Sequence, residues 1–231
     1  MKILAFLYAG GNKHSYNFLK PYLEKNIGFE VFEYAGRGNR ISEKPLDSID
    51  AIVDDLWYPI SKAIDTEEPY VFYGHSMGAL VAYLLCQRIQ NNALKEPEKL
   101  VVSGRKAPRV ARDKKIWQYP KDRFWKELIA LGGIPKEMQK EASLRDFFEP
   151  IIKADFKAVE QYTFKSGKPL NIPIDVLYGD EEKENESDFV DWGKETTKEV
   201  TYRSFQGNHF FIHIYAQDIA KHLFRGFSTS K

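Results

Sequence analysis

Gly74-His75-Ser76-Met77-Gly78 is a G-x-S-x-G motif, and the segments on either side of it indicate how the chain folds. Residues 70–73 are aromatic or β-branched and favour a short strand. Residues 79–89 are mostly apolar and include good helix formers. A strand, a sharp turn and a helix are the setting in which this motif exposes a serine hydroxyl as a nucleophile. The sequence therefore predicts that Ser76 is a nucleophile at the end of a buried strand.

The rest of the chain alternates between strand-like and helix-like segments. Apolar segments rich in β-formers lie at residues 3–8, 29–34, 70–73, 100–103, 174–178 and 200–205. Amphipathic segments typical of helices lie at residues 16–25, 47–64, 77–90, 189–197 and 215–227. Such alternation predicts the α/β class, with a mostly parallel central sheet and helices on both faces. We expect residues 1–231 to form one domain, because a single core can serve a chain of 231 residues.

One long interval, between residues 103 and 174, contains no clear central strand. Helix-like stretches occur in it at residues 121–131 and 144–161, interrupted by Gly132-Gly133 and by prolines. A compact domain rarely leaves so long a segment as bare loop. The sequence therefore predicts a helical lid insertion over the site, at about residues 105–168.

A serine nucleophile needs a base, and five histidines are available. His209 follows the last strand-like segment, where hydrolases with the chain order Ser, acid, His carry their base. His75 lies inside the motif and is expected to be structural. We assign no catalytic role to His14, His213 or His222, whose surroundings are helix-like or near the terminus.

The acid that orients the base must lie between Ser76 and His209, at the end of a strand. The fifth strand-like segment runs into Gly179-Asp180-Glu181-Glu182, which offers three carboxylates. We favour Asp180 because it is nearest the strand end and needs no longer reach. Glu182 is the alternative, and Asp188 is a more distant one. A run of acids is also typical of a solvated loop, so the sequence leaves this choice open.

Two backbone N–H groups are expected to hold the oxyanion that forms when a serine attacks a carbonyl. Met77, directly after the nucleophile, supplies one by the geometry of the motif. The other is expected from the loop after the first strand, Tyr8-Ala9-Gly10-Gly11, whose small residues let the backbone approach the carbonyl. Gly36-Arg37-Gly38 is a second glycine-flanked turn, which we interpret as a packing turn.

Composition excludes several classes of function. Lys and Arg total 34 and Asp and Glu total 33, so a net charge of +1 creates no field that favours nucleic acid or membrane. No apolar stretch approaches the ~20 residues of a membrane span, and residues 3–8 are too short for a secretory signal. The single cysteine, Cys86, excludes an internal disulfide and fits a reducing compartment. We expect a cytoplasmic monomer without nucleic-acid or membrane partners.

The sequence also lacks the usual motifs of bound cofactors. It contains no G-x-G-x-x-G and no P-loop Lys-Ser/Thr, and no His/Cys cluster has metal-ligand spacing. We therefore expect neither a cofactor nor a metal.

Several motifs together resemble the type II thioesterases, the stand-alone editing hydrolases of nonribosomal peptide and polyketide synthesis. Gly74 to Gly78 match that family's G-H-S-M-G without change. Leu7 and Ala35 replace the family's prolines, and Asn208 replaces a glycine. The segments at residues 131–135, 153–156 and 160–162 are the most diagnostic, because generic α/β-hydrolases do not share them. The other similar segments are residues 6–11, 35–38 and 207–211.

This resemblance implies an α/β-hydrolase with a Ser–His–acid triad. It implies that Ser76 and His209 are catalytic and that Met77 and Ala9 are the oxyanion donors. The family's usual G-x-x-D places Glu182 at the position of the acid, whereas a small deletion would bring Asp180 there.

The resemblance also implies a substrate and a partner. The substrate is an acyl or aminoacyl thioester on the phosphopantetheine arm of an acyl or peptidyl carrier protein. A basic cluster at the start of the predicted lid would suit an acidic carrier; it comprises Arg105, Lys106, Arg109, Arg112, Lys114 and Lys115. The alternatives on the same fold are a small-molecule carboxylesterase and a fatty-acyl thioesterase, and a non-catalytic binding protein is a third possibility.

Overall fold

The computed structural model describes residues 1–110, 114–182 and 186–224. Its centre is a six-stranded sheet of order β2-β1-β3-β4-β5-β6, in which every neighbouring pair is parallel. The strands are β1 (Lys2–Phe6), β2 (Gly28–Phe32), β3 (Tyr70–His75), β4 (Lys99–Ser103), β5 (Ile174–Gly179) and β6 (Val200–Phe205). The strand order reverses between β1 and β3, and ligands of parallel α/β sheets bind at such a reversal, beyond the carboxyl ends of the strands.

Helices cover both faces of this sheet. Helix α2 packs on β1, β3, β4 and α1, whereas α7 packs on β3 and on the 3₁₀ segment Asn17–Tyr22. The described helices are α1 (Ile49–Ile64), α2 (Met77–Asn91), α3 (Lys121–Leu131), α4 (Lys136–Lys140), α5 (Ala142–Glu160), α6 (Glu186–Val190) and α7 (Ala216–Phe224). The predicted α/β class with a parallel sheet is confirmed.

Two predicted helices differ from the structure. The segment predicted at residues 16–25 is only the 3₁₀ helix Asn17–Tyr22, which contains Pro21, a residue without the N–H that a longer helix needs. The segment predicted at residues 189–197 is divided between α6 and the 3₁₀ helix Asp191–Lys194. The end of the last predicted helix, residues 225–227, lies outside the described residues.

The interval between β4 and β5 is helical, as predicted. Helix α3 coincides with the predicted residues 121–131, and α5 begins two residues before the predicted 144–161, whereas α4 was not expected. Gly132 ends α3 with a φ of 90°, a left-handed conformation that suits glycine. This segment has a small apolar core of its own, formed by Ile116, Phe124, Trp125, Leu128 and Ile152. Its role as a lid stays a prediction.

The glycines of the motif are required by close backbone approaches. A Cβ on Gly78, in the first turn of α2, would collide with the carbonyl of Phe6 at the end of β1. A Cβ on Gly74 would collide with the backbone of Gly78 and Ala79. These contacts bring the start of α2 directly against β1. The two loops that follow β1 and β3 are therefore neighbours.

Gly78→Ala is therefore expected to lower the free energy of unfolding by at least about 2 kcal/mol, because backbone atoms cannot move aside as a side chain can. Gly28→Ala is the control, since its Cβ would meet the Lys2 side chain at 3.4 Å and no backbone atom closer than 3.8 Å, which are ordinary van der Waals contacts. Urea unfolding of both variants measures the difference. Equal midpoints for the two would contradict the close approach at Gly78.

Candidate active site

Ser76 occupies the turn between β3 and α2 with an uncommon backbone conformation. Its φ is 54° and its ψ is −112°, a combination that residues other than glycine seldom adopt. Its N–H donates to the carbonyl of Ser103 at the end of β4, at 2.8 Å. Such strain persists only where neighbouring structure enforces it, and it is frequent at functional sites. Ser76 lines a cavity together with Ala9 and His209.

The Nδ1 atom of His209 is hydrogen-bonded to a carboxylate. Its Nδ1 lies 2.7 Å from Oε2 of Glu182, and the two side chains are 15% and 5% exposed. The other oxygen of Glu182 accepts from the N–H of Gly179, at 3.0 Å, which fixes the carboxylate at the end of β5. An ionised carboxylate can only accept, so Nδ1 carries the proton and Nε2 is left with a free electron pair. This is the tautomer that a general base requires.

Asp180 does not contact His209 in this structure. Its Oδ1 accepts from the N–H of Gly207, at 2.9 Å, and its own N–H donates to the carbonyl of Phe205, at 2.9 Å. The structure thus joins His209 to Glu182, the alternative acid, and not to the favoured Asp180, and the identity of the catalytic acid stays a prediction. The pairing of β5 with β6 continues one residue past β5, which directs Asp180 to the neighbouring loop. In the sequence, only the spacing of Glu182 from Gly179 pointed to Glu182 rather than to Asp180.

Asp188, the third candidate for the acid, is also engaged elsewhere. Its Oδ2 lies 2.9 Å from Nζ of Lys106. The carboxylate at His209 is thus supplied by Glu182, from the loop that follows β5.

The loop after β1 forms a hydrogen-bonded turn beside the serine. The N–H of Gly11 donates to the carbonyl of Tyr8, at 2.9 Å, and Gly10 has a φ of 77°. Ala9, between them, lines the cavity. Met77 is the first residue of α2, and the first N–H groups of a helix have no acceptor within the helix. Ala9 and Met77 are thus near the serine, and their use as oxyanion donors stays a prediction.

The cavity beside Ser76 has a volume of about 180 Å³ and a predominantly apolar wall. No Lys, Arg, Asp or Glu side chain among the described residues lines it. The wall opposite the serine comes from α3, α4, α5 and the turn that follows α3. It consists of Leu128, Leu131, Ile134, Met138, Phe148, Ile152 and Phe156. An apolar group attached to a reacting carbonyl would therefore find a matching surface here.

A second histidine lies beneath His209. His75 is completely buried, and its ring centroid is 4.8 Å from that of His209. Its Nδ1 is 3.0 Å from Oγ of Ser103, which also lies 3.2 Å from the hydroxyl of Tyr73. Burial lowers the pKa of His75 well below its ordinary value, and the neighbouring His209 and His213 lower it further. His75 is therefore a neutral, structural residue.

The basic cluster predicted at the start of the lid is not one free surface. Arg105 is buried, and Lys106 lies 2.9 Å from Asp188. Arg109 Nε donates to Glu195, at 2.6 Å, and Lys114 is 3.6 Å from Glu127. Arg112 lies outside the described residues, and Lys115 is exposed. The prediction of a shared docking surface is therefore wrong for Arg105, while Lys106 and Arg109 are engaged with carboxylates of their own chain.

Across residues 1–110, 114–182 and 186–224, no group of three or more His, Cys, Asp or Glu side chains could hold a metal ion. Within the same ranges, no helix combines the length and the apolar character that a membrane crossing needs.

Comparison with known proteins shows the family to which the chain belongs. The model of the thioesterase domain family matches residues 1–227, so the chain belongs to that family. The gramicidin S biosynthesis protein GrsT of Aneurinibacillus migulanus is 29% identical over 92% of this chain and 83% of its own length. The probable anguibactin biosynthesis thioesterase AngT of Vibrio anguillarum is 28% identical over 89% of this chain and 83% of its own.

Solved thioesterases have the same fold. RedJ, a thioesterase of the prodiginine pathway of Streptomyces coelicolor, is 26% identical over 96% of this chain and 89% of its own, with a TM-score of 0.90. YbtT, a type II thioesterase of the yersiniabactin pathway, is 26% identical over 98% of this chain and 92% of its own, with a TM-score of 0.87. The predictions of an α/β-hydrolase fold and of a resemblance to type II thioesterases are confirmed.

The buried His75 has a consequence for stability at low pH. In the unfolded chain this histidine takes up a proton below a pH of about 6.5, whereas the folded chain keeps it neutral. Stability is therefore expected to fall as the pH falls below about 6.5, by up to about 1.4 kcal/mol per pH unit from this residue. Burial also lowers the pKa of His213, which adds an effect of the same sign.

His75→Asn keeps a polar group opposite Ser103 but does not titrate. Urea unfolding of this variant between about pH 5 and 7 is expected to show a smaller loss of stability than the wild type shows. The same pH dependence in both proteins would contradict a neutral buried His75.

Proposed function

We propose that this chain hydrolyses acyl thioesters on the phosphopantetheine arm of acyl or peptidyl carrier proteins, as an editing enzyme of nonribosomal peptide or polyketide synthesis. The observation that carries the proposal is the 2.7 Å contact of Glu182 with His209 in a cavity that Ser76 also lines. Membership of the thioesterase family supports it. So does the similarity to YbtT, a type II thioesterase of a nonribosomal peptide and polyketide pathway.

The proposed reaction proceeds in two steps. The hydroxyl oxygen of Ser76 attacks the thioester carbonyl carbon, and its proton passes to Nε2 of His209. The carbonyl oxygen becomes an oxyanion, held by the N–H groups of Met77 and Ala9. The intermediate then expels the pantetheine thiolate, which takes the proton from His209. Water attacks the acyl-Ser76 ester by the same route, which releases the acid and restores the serine hydroxyl.

Glu182 acts through His209 in this scheme. Its carboxylate accepts a hydrogen bond from the N–H at Nδ1, which keeps the ring in the required tautomer and stabilises the imidazolium that forms transiently. The side chain of Glu182 is only 5% exposed, so water screens this interaction little.

The lining of the cavity favours apolar acyl groups. Its outer wall consists of Leu, Ile, Met and Phe side chains, and among the described residues no Asp or Glu lines the cavity to pair with a buried ammonium group. Moving an unpaired charge from water into such surroundings raises the free energy strongly. We therefore infer that uncharged acyl groups are removed faster than aminoacyl groups with a free amine.

The serine assignment is tested by Ser76→Ala, a change that removes one oxygen atom. Turnover of an acyl-carrier thioester is expected to fall by about 10⁴-fold or more, as is typical for loss of the nucleophile. Release of the free acid from a loaded carrier protein measures the activity.

Simple aryl esters and acyl-coenzyme A serve as comparison substrates. Faster hydrolysis of the aryl esters than of carrier-bound thioesters would indicate a carboxylesterase instead.

The acid is tested by two near-isosteric substitutions. Glu182→Gln is expected to lower kcat at least about a hundredfold, because the amide no longer selects the tautomer of His209. Asp180→Asn is expected to change kcat by less than about threefold, since an Asn oxygen can still accept from the N–H of Gly207. Steady-state kinetics of both variants measure the two changes in kcat. The reverse order of the two effects would return the role to Asp180.

A further inference from the structure

A buried ion pair joins the helical insertion to the turn after β2. Arg37 is 3% exposed and Asp155, on α5, is 0% exposed. The two terminal guanidinium nitrogens of Arg37 each lie 2.7 Å from one oxygen of Asp155, so the pair is bidentate. Replacing a buried ion pair by apolar residues of similar volume often leaves a protein equally stable or makes it more stable. Stability alone therefore does not account for this pair.

The same pair also holds the turn that contains Ala9. Asp155 Oδ2 accepts from the N–H of Gly10, at 2.7 Å, and Arg37 donates to the carbonyl of Gly11, at 3.4 Å. Hydrogen bonds to charged partners are stronger than those between neutral groups. Two of the peptide groups that follow Ala9 are thus fixed by charged side chains from other elements.

The chain before Ala9 is held in a similar way. The hydroxyl of Tyr34 donates to the carbonyl of Leu7, at 2.9 Å, and the guanidinium of Arg37 lies 5.2 Å from the centre of the Tyr34 ring. Ala9 therefore lies between two anchored peptide groups, and Arg37 contacts the anchors on both sides.

Helix α5 also closes over this turn. Ile152 would lie 3.1 Å from a Cβ on Gly10, and it lines the cavity together with Phe148 and Phe156. Residues three, four and seven positions apart share one face of a helix, so Asp155 belongs to the face that forms the cavity wall. One face of α5 thus both shapes the cavity and fixes the loop beside Ser76.

We propose that Asp155, together with Arg37, is a positioning residue that aligns the N–H of Ala9 towards the oxyanion. This inference rests on the proposed role of Ala9 as an oxyanion donor. A donor stabilises the transition state only if it already points to the place where the charge develops. Any displacement of α5 that separates Asp155 from Gly10 also releases the Ala9 turn. Hydrolysis therefore requires that α5 stays packed against the Ala9 turn.

The test replaces the whole pair, so that no charge is left buried without its partner. In Arg37→Met/Asp155→Leu, Gly10 loses its acceptor while the apolar packing is retained. The matched control is Lys99→Met/Asp175→Leu. It removes another buried ion pair, whose Nζ and Oδ2 are 2.8 Å apart, at the amino ends of β4 and β5, and these strand ends are opposite to those that carry the site.

Two measurements are compared between the double variants. The first is the kcat and KM of thioester hydrolysis, and the second is the rate at which a fluorophosphonate labels Ser76, which needs the same donors but no thioester. We expect kcat and the labelling rate to fall by about tenfold to a hundredfold in Arg37→Met/Asp155→Leu. KM should change by less than about threefold, and the control variant should stay near the wild type.

The single substitution Asp155→Asn gives a further check. One oxygen remains to accept from Gly10, so its labelling rate is expected to lie between those of the wild type and the double variant. Equal labelling rates in the two double variants would overturn the inference. A wild type that is labelled at Ser76 but hydrolyses no thioester would instead overturn the proposed function, and the labelling comparison would still decide the role of Asp155.

Discussion

The close approach of α2 to the end of β1 is the constraint on which the site depends. Gly78 lies so near the carbonyl of Phe6 that only glycine fits there. This contact puts the first turn of α2 beside the loop that follows β1, at the place where the strand order of the sheet reverses. Ser76, Met77 and Ala9 come from two distant parts of the sequence, and this backbone contact makes them neighbours.

The polar groups of the site are each fixed by a second contact. Glu182 bonds to His209 with one oxygen and to the backbone of Gly179 with the other. His75, beneath, stays neutral because its burial disfavours the charged form. In the proposed reaction, the transient positive charge on His209 thus meets one carboxylate and no second imidazolium. Because these groups are largely buried, their mutual interactions are stronger than they would be in water.

The helical insertion has two parts with different relations to this site. Helices α3 and α4 contribute apolar side chains to the cavity wall, and α3 belongs to the small separate core. Helix α5 contributes to the wall as well, but Asp155 also ties it to the turn after β1 and to Arg37. A change of acyl preference can therefore arise in α3 and α4 without disturbing the backbone beside Ser76. In α5 the wall and the anchor lie on the same helical face.

Local sequence patterns predicted most of the secondary structure of this protein. The six strands, helices α3 and α5, and the strand–turn–helix around Ser76 were all predicted, because glycine spacing and apolar periodicity are properties of contiguous residues. The position of His209 after the last strand could be read in the same way.

The tertiary structure alone decided which carboxylate meets His209 and what Asp155 does. Asp180 is nearer the strand end, but its backbone N–H pairs with Phe205 and its side chain turns to Gly207, so the longer Glu182 reaches the imidazole. Arg37 and Asp155 are 118 positions apart, and no local pattern relates them. The direction of a side chain in a loop is set by hydrogen bonds to other elements, which form only when the sheet and the insertion have assembled.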